Sequence, residues 1–65
     1  MSINDLLENG IEIQGQTTIK RYVDENDEYI TLFEGENIVI CDNDIRDKNI
    51  KYMYAVYGSG LIIEI

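Results

Sequence analysis

The 65-residue chain contains no histidine and only one cysteine, Cys41. Without a second cysteine the chain cannot form an internal disulfide. Without histidine, Cys41 lacks the base that most often activates a nucleophilic thiol. We therefore predict that Cys41 is a buried or half-buried, inert thiol. A single cysteine is also typical of a reducing compartment, and we expect the protein to be cytoplasmic.

Long apolar runs and basic residues are also scarce. No segment approaches the ~20 apolar residues of a membrane span, and residues 1–10 lack the basic start of a signal peptide. Thirteen acidic residues stand against five basic ones, which gives a net charge of -8. This charge repels nucleic acids and anionic membranes and favours basic protein surfaces. We expect neither a nucleic-acid nor a membrane partner, although solubility alone also explains such acidity.

Neither acidic segment has the pattern of a metal site or an active site. Residues 24–28 alternate oxygen ligands as a calcium loop does, but Tyr29 and Gly35 stand where an EF-hand needs glycine and glutamate. Residues 42–47 contain Arg46, which we expect to pair with the carboxylates beside it. The glycines of residues 58–60 lack the lysine and helix of a phosphate loop. We therefore expect no enzymatic activity, no metal and no cofactor.

The opening residues predict a short helix. Ser2 and Asp5 have the spacing of a capping box, with aspartate in place of glutamate. Leu6 and Leu7 continue an apolar stripe, and Gly10 suits the left-handed position that ends a helix. Two helical turns are not stable alone. We therefore expect this helix to pack on a sheet.

Alternating apolar residues then predict a series of strands. We place them at residues 11–13, 17–23, 29–34 and 37–41, with a hairpin at residues 50–65. The fold class that follows is α+β, with one domain at residues 1–65. A short N-terminal helix packs on a curled antiparallel sheet of four to six strands, which forms a small barrel-like meander. In the hairpin of residues 17–34 we expect these residues to face outward or to line a second, smaller cluster: Thr18, Lys20, Tyr22, Tyr29, Thr31 and Phe33.

The faces of the final hairpin depend on the length of its turn. A two-residue turn places Tyr52, Tyr54 and Val56 on one side, the core side, together with Leu61, Ile63 and Ile65. A three-residue turn exchanges the faces, because successive strand residues point to opposite sides. We favour the two-residue turn, since it gathers β-branched and aromatic residues on one face.

The segment from Asp44 to Ala55, with the glycine turn and Leu61-Ile62-Ile63-Glu64-Ile65, resembles a family pattern. It is similar to the C-terminal half of small, acidic, uncharacterised proteins from bacteriophages and mobile elements of Gram-positive bacteria. Asp5-Leu6-Leu7-Glu8 resembles their opening. The sequence lacks the proline and paired leucines of that pattern before Asp47. The resemblance covers about half of the chain. It implies an accessory mobile-element protein and supplies no catalytic residue.

We predict a non-enzymatic binding protein that occludes a basic surface of a host protein, with carboxylates where phosphates normally bind. Tyrosines contribute because they give a large contact area at low entropic cost. Two other tyrosines, Tyr52 and Tyr54, are expected in the core. The predicted partner-binding residues are Asp24, Glu25, Asp27, Glu28, Asp42, Asp44, Asp47, Tyr22, Tyr29 and Tyr57.

Two alternative functions remain open at this point. One is a structural or assembly module that acts through self-association, and the other is a small-ligand sequestering protein. The core of such a small chain is thin. If the strand at residues 17–23 or the strand at residues 61–65 lies at a sheet edge, its unpaired backbone groups favour pairing with a second copy. We therefore also predict a two-fold homodimer.

Overall fold

The fold combines short helices with one four-stranded sheet. The computed structural model describes residues 1–65. Its elements, in order, are α1 (Ile3–Glu8), β1 (Thr17–Val23), β2 (Glu28–Gly35), a 3-10 helix (Ile38–Ile40), α2 (Asn43–Arg46), β3 (Tyr52–Val56) and β4 (Gly60–Glu64). The predicted α+β class and N-terminal helix are confirmed. None of the helices has the length and apolar character that crossing a bilayer requires.

Both ends of α1 close as the sequence predicts. The Ser2 hydroxyl accepts a hydrogen bond from the Asp5 amide at 3.1 Å, and the Ser2 amide donates to the Asp5 carboxylate at 2.9 Å. At the other end Gly10 has a φ of 79°, and the Ile11 amide donates to the Leu6 carbonyl at 3.0 Å. This is the Schellman arrangement that a left-handed glycine permits. The helix is thus fixed at both ends although it has only 6 residues.

The four strands form one mixed sheet in the order β2-β1-β4-β3. β1 pairs antiparallel with β2, and β3 pairs antiparallel with β4, but β1 and β4 run parallel at the centre. The sheet is open, and the predicted all-antiparallel meander is wrong for this central pair. Parallel strands need a long crossover connection. Between β1 and β4 this connection consists of β2, residues 36–51 and β3. β1 and β4 are therefore central strands, and the sheet edges are β2 and β3.

The core lies between the sheet and the helices. Ile19 of β1 and Ile63 of β4 are paired in register, and neither is accessible to solvent. They belong to a buried cluster that also contains Ile3, Ile38, Cys41 and Ile65. The predicted burial of Cys41 is confirmed, and removal from water raises the pKa of its thiol.

Two predicted strands are absent. Residues 11–14 have no regular structure, and residues 38–40 form a 3-10 helix. The Asn37 side chain caps this helix by accepting a hydrogen bond from the Val39 amide at 3.2 Å, which competes with extended structure. Because a 3-10 helix has three residues per turn, Ile38 and Ile40 do not share a face. Ile38 is buried, whereas Ile40 is 75 % exposed.

A β-bulge alters the predicted inner face of the β1–β2 hairpin. Ile19 pairs with Phe33, but Lys20 pairs with Thr31, so Leu32 is an extra residue on β2. A bulge of this kind changes which residues point to each side of the sheet. Phe33, which was predicted to face outward, therefore packs against the core, as does Leu32.

The final hairpin has a three-residue turn rather than the two-residue turn favoured above. Val56 pairs with Gly60, so three residues separate β3 from β4. The one-residue difference exchanges the faces of β3. Tyr52 and Tyr54 therefore lie on the side away from the core and are 65 % and 39 % exposed. Their predicted place in the core is wrong.

The backbone at Gly60 explains this register. Gly60 has a φ of 84°, and a Cβ at this position would lie 2.3 Å from the carbonyl oxygen of Gln16. The Leu61 amide donates a hydrogen bond to the same oxygen at 3.0 Å. Gly60 is therefore the first residue of β4, held against the chain just before β1, and it does not belong to the turn.

Candidate partner-binding face

One side of the sheet is uncovered and rich in tyrosine. The helices pack on the side that carries Ile19 and Ile63, and the strand registers place alternate residues on the opposite side. Four of the five tyrosines lie there. We call this surface the tyrosine face; it consists of Thr18, Lys20, Tyr22, Tyr29, Thr31, Tyr52, Tyr54, Val56, Ile62 and Glu64.

Two aromatic rings and a lysine form one end of the tyrosine face. Tyr22 of β1 and Tyr29 of β2 are paired in register, with ring centroids 5.3 Å apart and planes inclined by 60°. Aromatic pairs favour such tilted geometry. The Lys20 ammonium nitrogen lies 4.2 Å from the centroid of the Tyr29 ring. One ring of the face therefore already holds a cation through a cation–π contact.

A nearly buried carboxylate lies at the centre of the tyrosine face. Glu64 is 9 % exposed, and its register partners are Lys20 on β1 and Tyr52 on β3. The Tyr54 hydroxyl donates to Glu64 Oε2 at 2.7 Å, and this hydrogen bond raises the pKa of Tyr54. Removal from water, together with the Glu64 carboxylate, raises the pKa of Tyr29, although Lys20 opposes this shift. The hydroxyls of Tyr54 and Tyr29 are therefore protonated at neutral pH.

The turn between β1 and β2 adds negative charge at the end of the tyrosine face. Asp24, Glu25 and Asp27 lie in this turn and Glu28 is the first residue of β2, and all four are exposed; we call these four residues the acidic turn. The Tyr22 hydroxyl donates a hydrogen bond to the Asp27 carboxylate, and this bond raises the pKa of Tyr22. The structure thus brings together the predicted aromatic residues of this hairpin and the first predicted acidic group.

The second predicted acidic group lies on the other side of the molecule. Asp42 caps α2, since its carboxylate accepts a hydrogen bond from the Asp44 amide at 2.9 Å. Asp47 follows the last residue of the same helix. Ile45 packs against the core, so α2 lies on the helix side of the sheet. These three aspartates are therefore not part of the surface that carries the tyrosines, and Asp42 has a structural role.

The positions of the other three tyrosines differ in how far the sequence predicted them. Tyr57, which was predicted to bind a partner, lies in the β3–β4 turn and is fully exposed. It lies outside the strand positions that define the tyrosine face. Tyr52, Tyr54 and Glu64 are on that face but were not predicted there. The three-residue turn was the signal that could have placed both tyrosines on the outer side.

No group of three or more histidine, cysteine, aspartate or glutamate side chains is arranged to hold a metal ion. Comparison with known protein families finds no match. Comparisons with curated proteins and with solved structures find no match either. A functional proposal therefore rests on the tyrosine face and the acidic turn.

Proposed function

We propose that the protein is a non-enzymatic binding protein that holds a basic protein partner on its tyrosine face and acidic turn. The observation that carries this proposal is that four of the five tyrosines share an uncovered surface with a turn of four carboxylates. Tyrosine is enriched in binding interfaces and arginine commonly pairs with it.

Two features of the tyrosine face suit a basic partner. Tyr29 already holds the Lys20 ammonium group over its ring, and the largely exposed ring of Tyr52 offers a second platform of the same kind. Arginine and lysine side chains of a partner would stack on such rings and pair with the carboxylates of the acidic turn. The net charge of -8 would also speed the approach of a basic protein.

The resemblance to small proteins of phages and mobile elements favours a host protein as the partner. In this proposal the acidic turn stands where phosphates normally bind, so that a host nucleic-acid-handling or defence protein loses access to its basic surface. We place this action in the cytoplasm, which is consistent with the free, buried thiol of Cys41.

A capture experiment with matched charge variants tests this proposal. The bait is the wild type, the variant Asp24→Asn/Glu25→Gln, or the variant Glu8→Gln/Asp47→Asn, each incubated with a cytoplasmic extract of a Gram-positive bacterium. Both variants remove two negative charges. Only the first changes the acidic turn, because Glu8 and Asp47 are exposed residues at the ends of α1 and α2.

The expected result is a basic protein that the wild type and the Glu8/Asp47 variant retain equally, that the acidic-turn variant retains poorly, and that salt releases. Tyr52→Ser should also weaken retention, because it removes an exposed ring. Equal retention by all forms, or equal loss from both charge variants, would contradict the proposal.

Self-association is a second candidate function, and the position of β3 favours it. β3 is an edge strand, all five of its residues are exposed, and none is charged. An uncharged edge strand offers its free backbone groups to another strand. The strands predicted to pair in a dimer, β1 and β4, are central, so their backbone groups are already paired within the sheet. Two-fold antiparallel pairing of β3 with β3 of a second copy takes their place.

Salt separates the two candidates. A charge of -8 on each copy opposes self-association, so a β3-paired dimer should tighten as salt is added, whereas a complex with a basic partner should weaken. Sedimentation of the purified protein at low and high salt measures this. The mass of a single chain under both conditions, even at high protein concentration, would overturn self-association.

A further inference from the structure

Three of the five basic residues line one pocket on the helix side of the sheet. Arg21 lies on β1, Lys48 follows α2, and Lys51 precedes β3. The pocket has a volume of about 270 Å³, and we call it the cationic pocket. Its other lining residues are Leu32, Asp44, Ile45 and Ile65. In a chain with a net charge of -8, the fold thus gathers most of the positive charge in one place.

The cationic pocket has an apolar floor and a charged rim. Ile65 is buried, and Leu32 and Ile45 are half-buried and pack against the core. The three basic residues are exposed. The backbone beneath two of them is fixed: the Lys51 amide donates to the Glu64 carbonyl at 2.7 Å, and the Lys48 amide donates to the Ile45 carbonyl at 3.2 Å. A ligand with an anionic group for the rim and an apolar group for the floor fits this arrangement.

No side-chain hydrogen bond ties the cations of the pocket to an anionic group of the protein. The side-chain hydrogen bonds of the chain involve serine, threonine, asparagine, glutamine, tyrosine and carboxylate groups, and none involves lysine or arginine. Among the side chains of the lining, three cations and the carboxylate of Asp44 give a net charge of +2. Because like charges repel, an anion bound among them would lower the electrostatic energy of the pocket.

We propose that the cationic pocket binds a small organic phosphate, with its phosphate among the three basic side chains and an apolar or aromatic group on the floor. The Arg21 guanidinium can pair with two phosphate oxygens, and the lysines add point charges. A phosphate presents three strong acceptor oxygens and close to two negative charges at neutral pH. Three cations therefore suit it better than they suit a carboxylate.

The size and the position of the pocket narrow this proposal. Pockets for drug-sized molecules measure about 300–1,000 Å³, so a volume of about 270 Å³ limits the apolar group to roughly one ring. Most of the lining lies on the helix side of the sheet, but Lys51 and Ile65 also line a pocket on the tyrosine face. The phosphate proposal uses Arg21 and Lys48 and none of the tyrosines, so it and the basic-partner proposal can fail separately.

Titration followed by the amide chemical shifts of the protein tests this inference. The probes are phenyl phosphate, inorganic phosphate and benzoate, each added at constant ionic strength. Phenyl phosphate should bind saturably and shift amides around Arg21, Lys48 and Lys51. It should bind roughly tenfold more tightly than inorganic phosphate, because its ring leaves water for the apolar floor. Benzoate should bind more weakly than phenyl phosphate.

Adjacent residues of β1 supply matched variants. Arg21→Ala removes a cation of the pocket, whereas Lys20→Ala removes a cation from the opposite side of the sheet. The first should weaken phenyl phosphate binding by about tenfold or more, and the second should leave it unchanged. Lys48→Ala, a change in an exposed loop residue, should also weaken binding and provides a second variant if Arg21→Ala fails to fold.

Three outcomes would overturn the proposal. The first is the absence of saturable phenyl phosphate binding at millimolar concentrations. The second is an equal effect of Lys20→Ala and Arg21→Ala, which would indicate attraction to overall charge. The third is equal affinity for phenyl phosphate and inorganic phosphate, which would show that the apolar floor takes no part.

Discussion

Replacing Gly60 by alanine tests how β4 is held at the centre of the sheet. Gly58 and Gly60 have nearly identical φ angles, 83° and 84°. They differ in their surroundings: a Cβ on Gly58 would meet nothing within 4 Å, whereas a Cβ on Gly60 would lie 2.3 Å from the backbone oxygen of Gln16. Gly58→Ala is therefore a matched control for Gly60→Ala.

The structure gives the magnitude of the difference. Alanine in the left-handed region costs about 1–2 kcal/mol at either position. At Gly60 the clash with Gln16 adds an overpacking cost of about 1–3 kcal/mol, because relief requires the start of β4 to move away from β1. A domain of this size has a total stability of about 3–10 kcal/mol. Gly60→Ala should therefore leave a substantial fraction of the protein unfolded, whereas Gly58→Ala should remain folded.

Thermal and urea unfolding followed by circular dichroism measure this difference. Since about 1 kcal/mol changes the Tm of such a domain by roughly 4–8 °C, Gly60→Ala should melt roughly 4–24 °C below Gly58→Ala. Equal Tm values for the two variants would refute the reasoning. They would mean that Gly60 does not lie against Gln16 and that the parallel pairing of β1 with β4 does not start there.

Three further predictions concern the helix, its cap and the tyrosine face. Leu6→Ala should cost about 2–5 kcal/mol of unfolding free energy, because Leu6 is a buried residue of α1. Ile11→Ala, at an exposed position, should change the unfolding free energy by less than about 0.5 kcal/mol, and equal Tm values for the two variants would contradict this packing. Hydrogen bonds to Ser2 lower the pKa of Asp5, so the stability they give is present above the unfolded pKa of about 3.9 and is lost as the pH falls through the lower, folded value. The Tm advantage of the wild type over Asp5→Asn should therefore shrink on acidification below about pH 4, and an advantage that grows would contradict the sign. Tyr54→Phe removes the hydroxyl that donates to the nearly buried Glu64, so it should lower the urea midpoint, whereas Tyr57→Phe, in the exposed turn, should not.

Features of the fold that depend on neighbouring residues could be predicted from the sequence. The capping box of Ser2 and Asp5 and the left-handed Gly10 are local patterns, and the structure contains both. Burial of Cys41 was predicted from the absence of histidine, and the structure contains it. The strand at residues 17–23 matches β1 in both of its bounds.

Features that depend on contacts between distant residues could not be predicted. The place of Gly60 is set by Gln16, far away along the chain, and this contact determines the faces of β3. The bulge at Leu32 and the central parallel pair likewise arise from packing across the sheet. The candidate site was therefore predicted in part. Tyr22, Tyr29 and the acidic turn come from one hairpin, whereas Tyr52 and Tyr54 needed the correct register of another.

The most direct test of the central claim is to map where a basic peptide binds. The probe is a short peptide of alternating arginine and leucine, titrated into the labelled protein while the backbone amide and tyrosine ring signals are followed. We predict that the shifts concentrate on Tyr29, Tyr52 and the acidic turn, and that affinity falls as salt is added. Shifts centred on Asp42, Asp47 and the rest of α2, or shifts spread evenly over all acidic residues, would contradict the account.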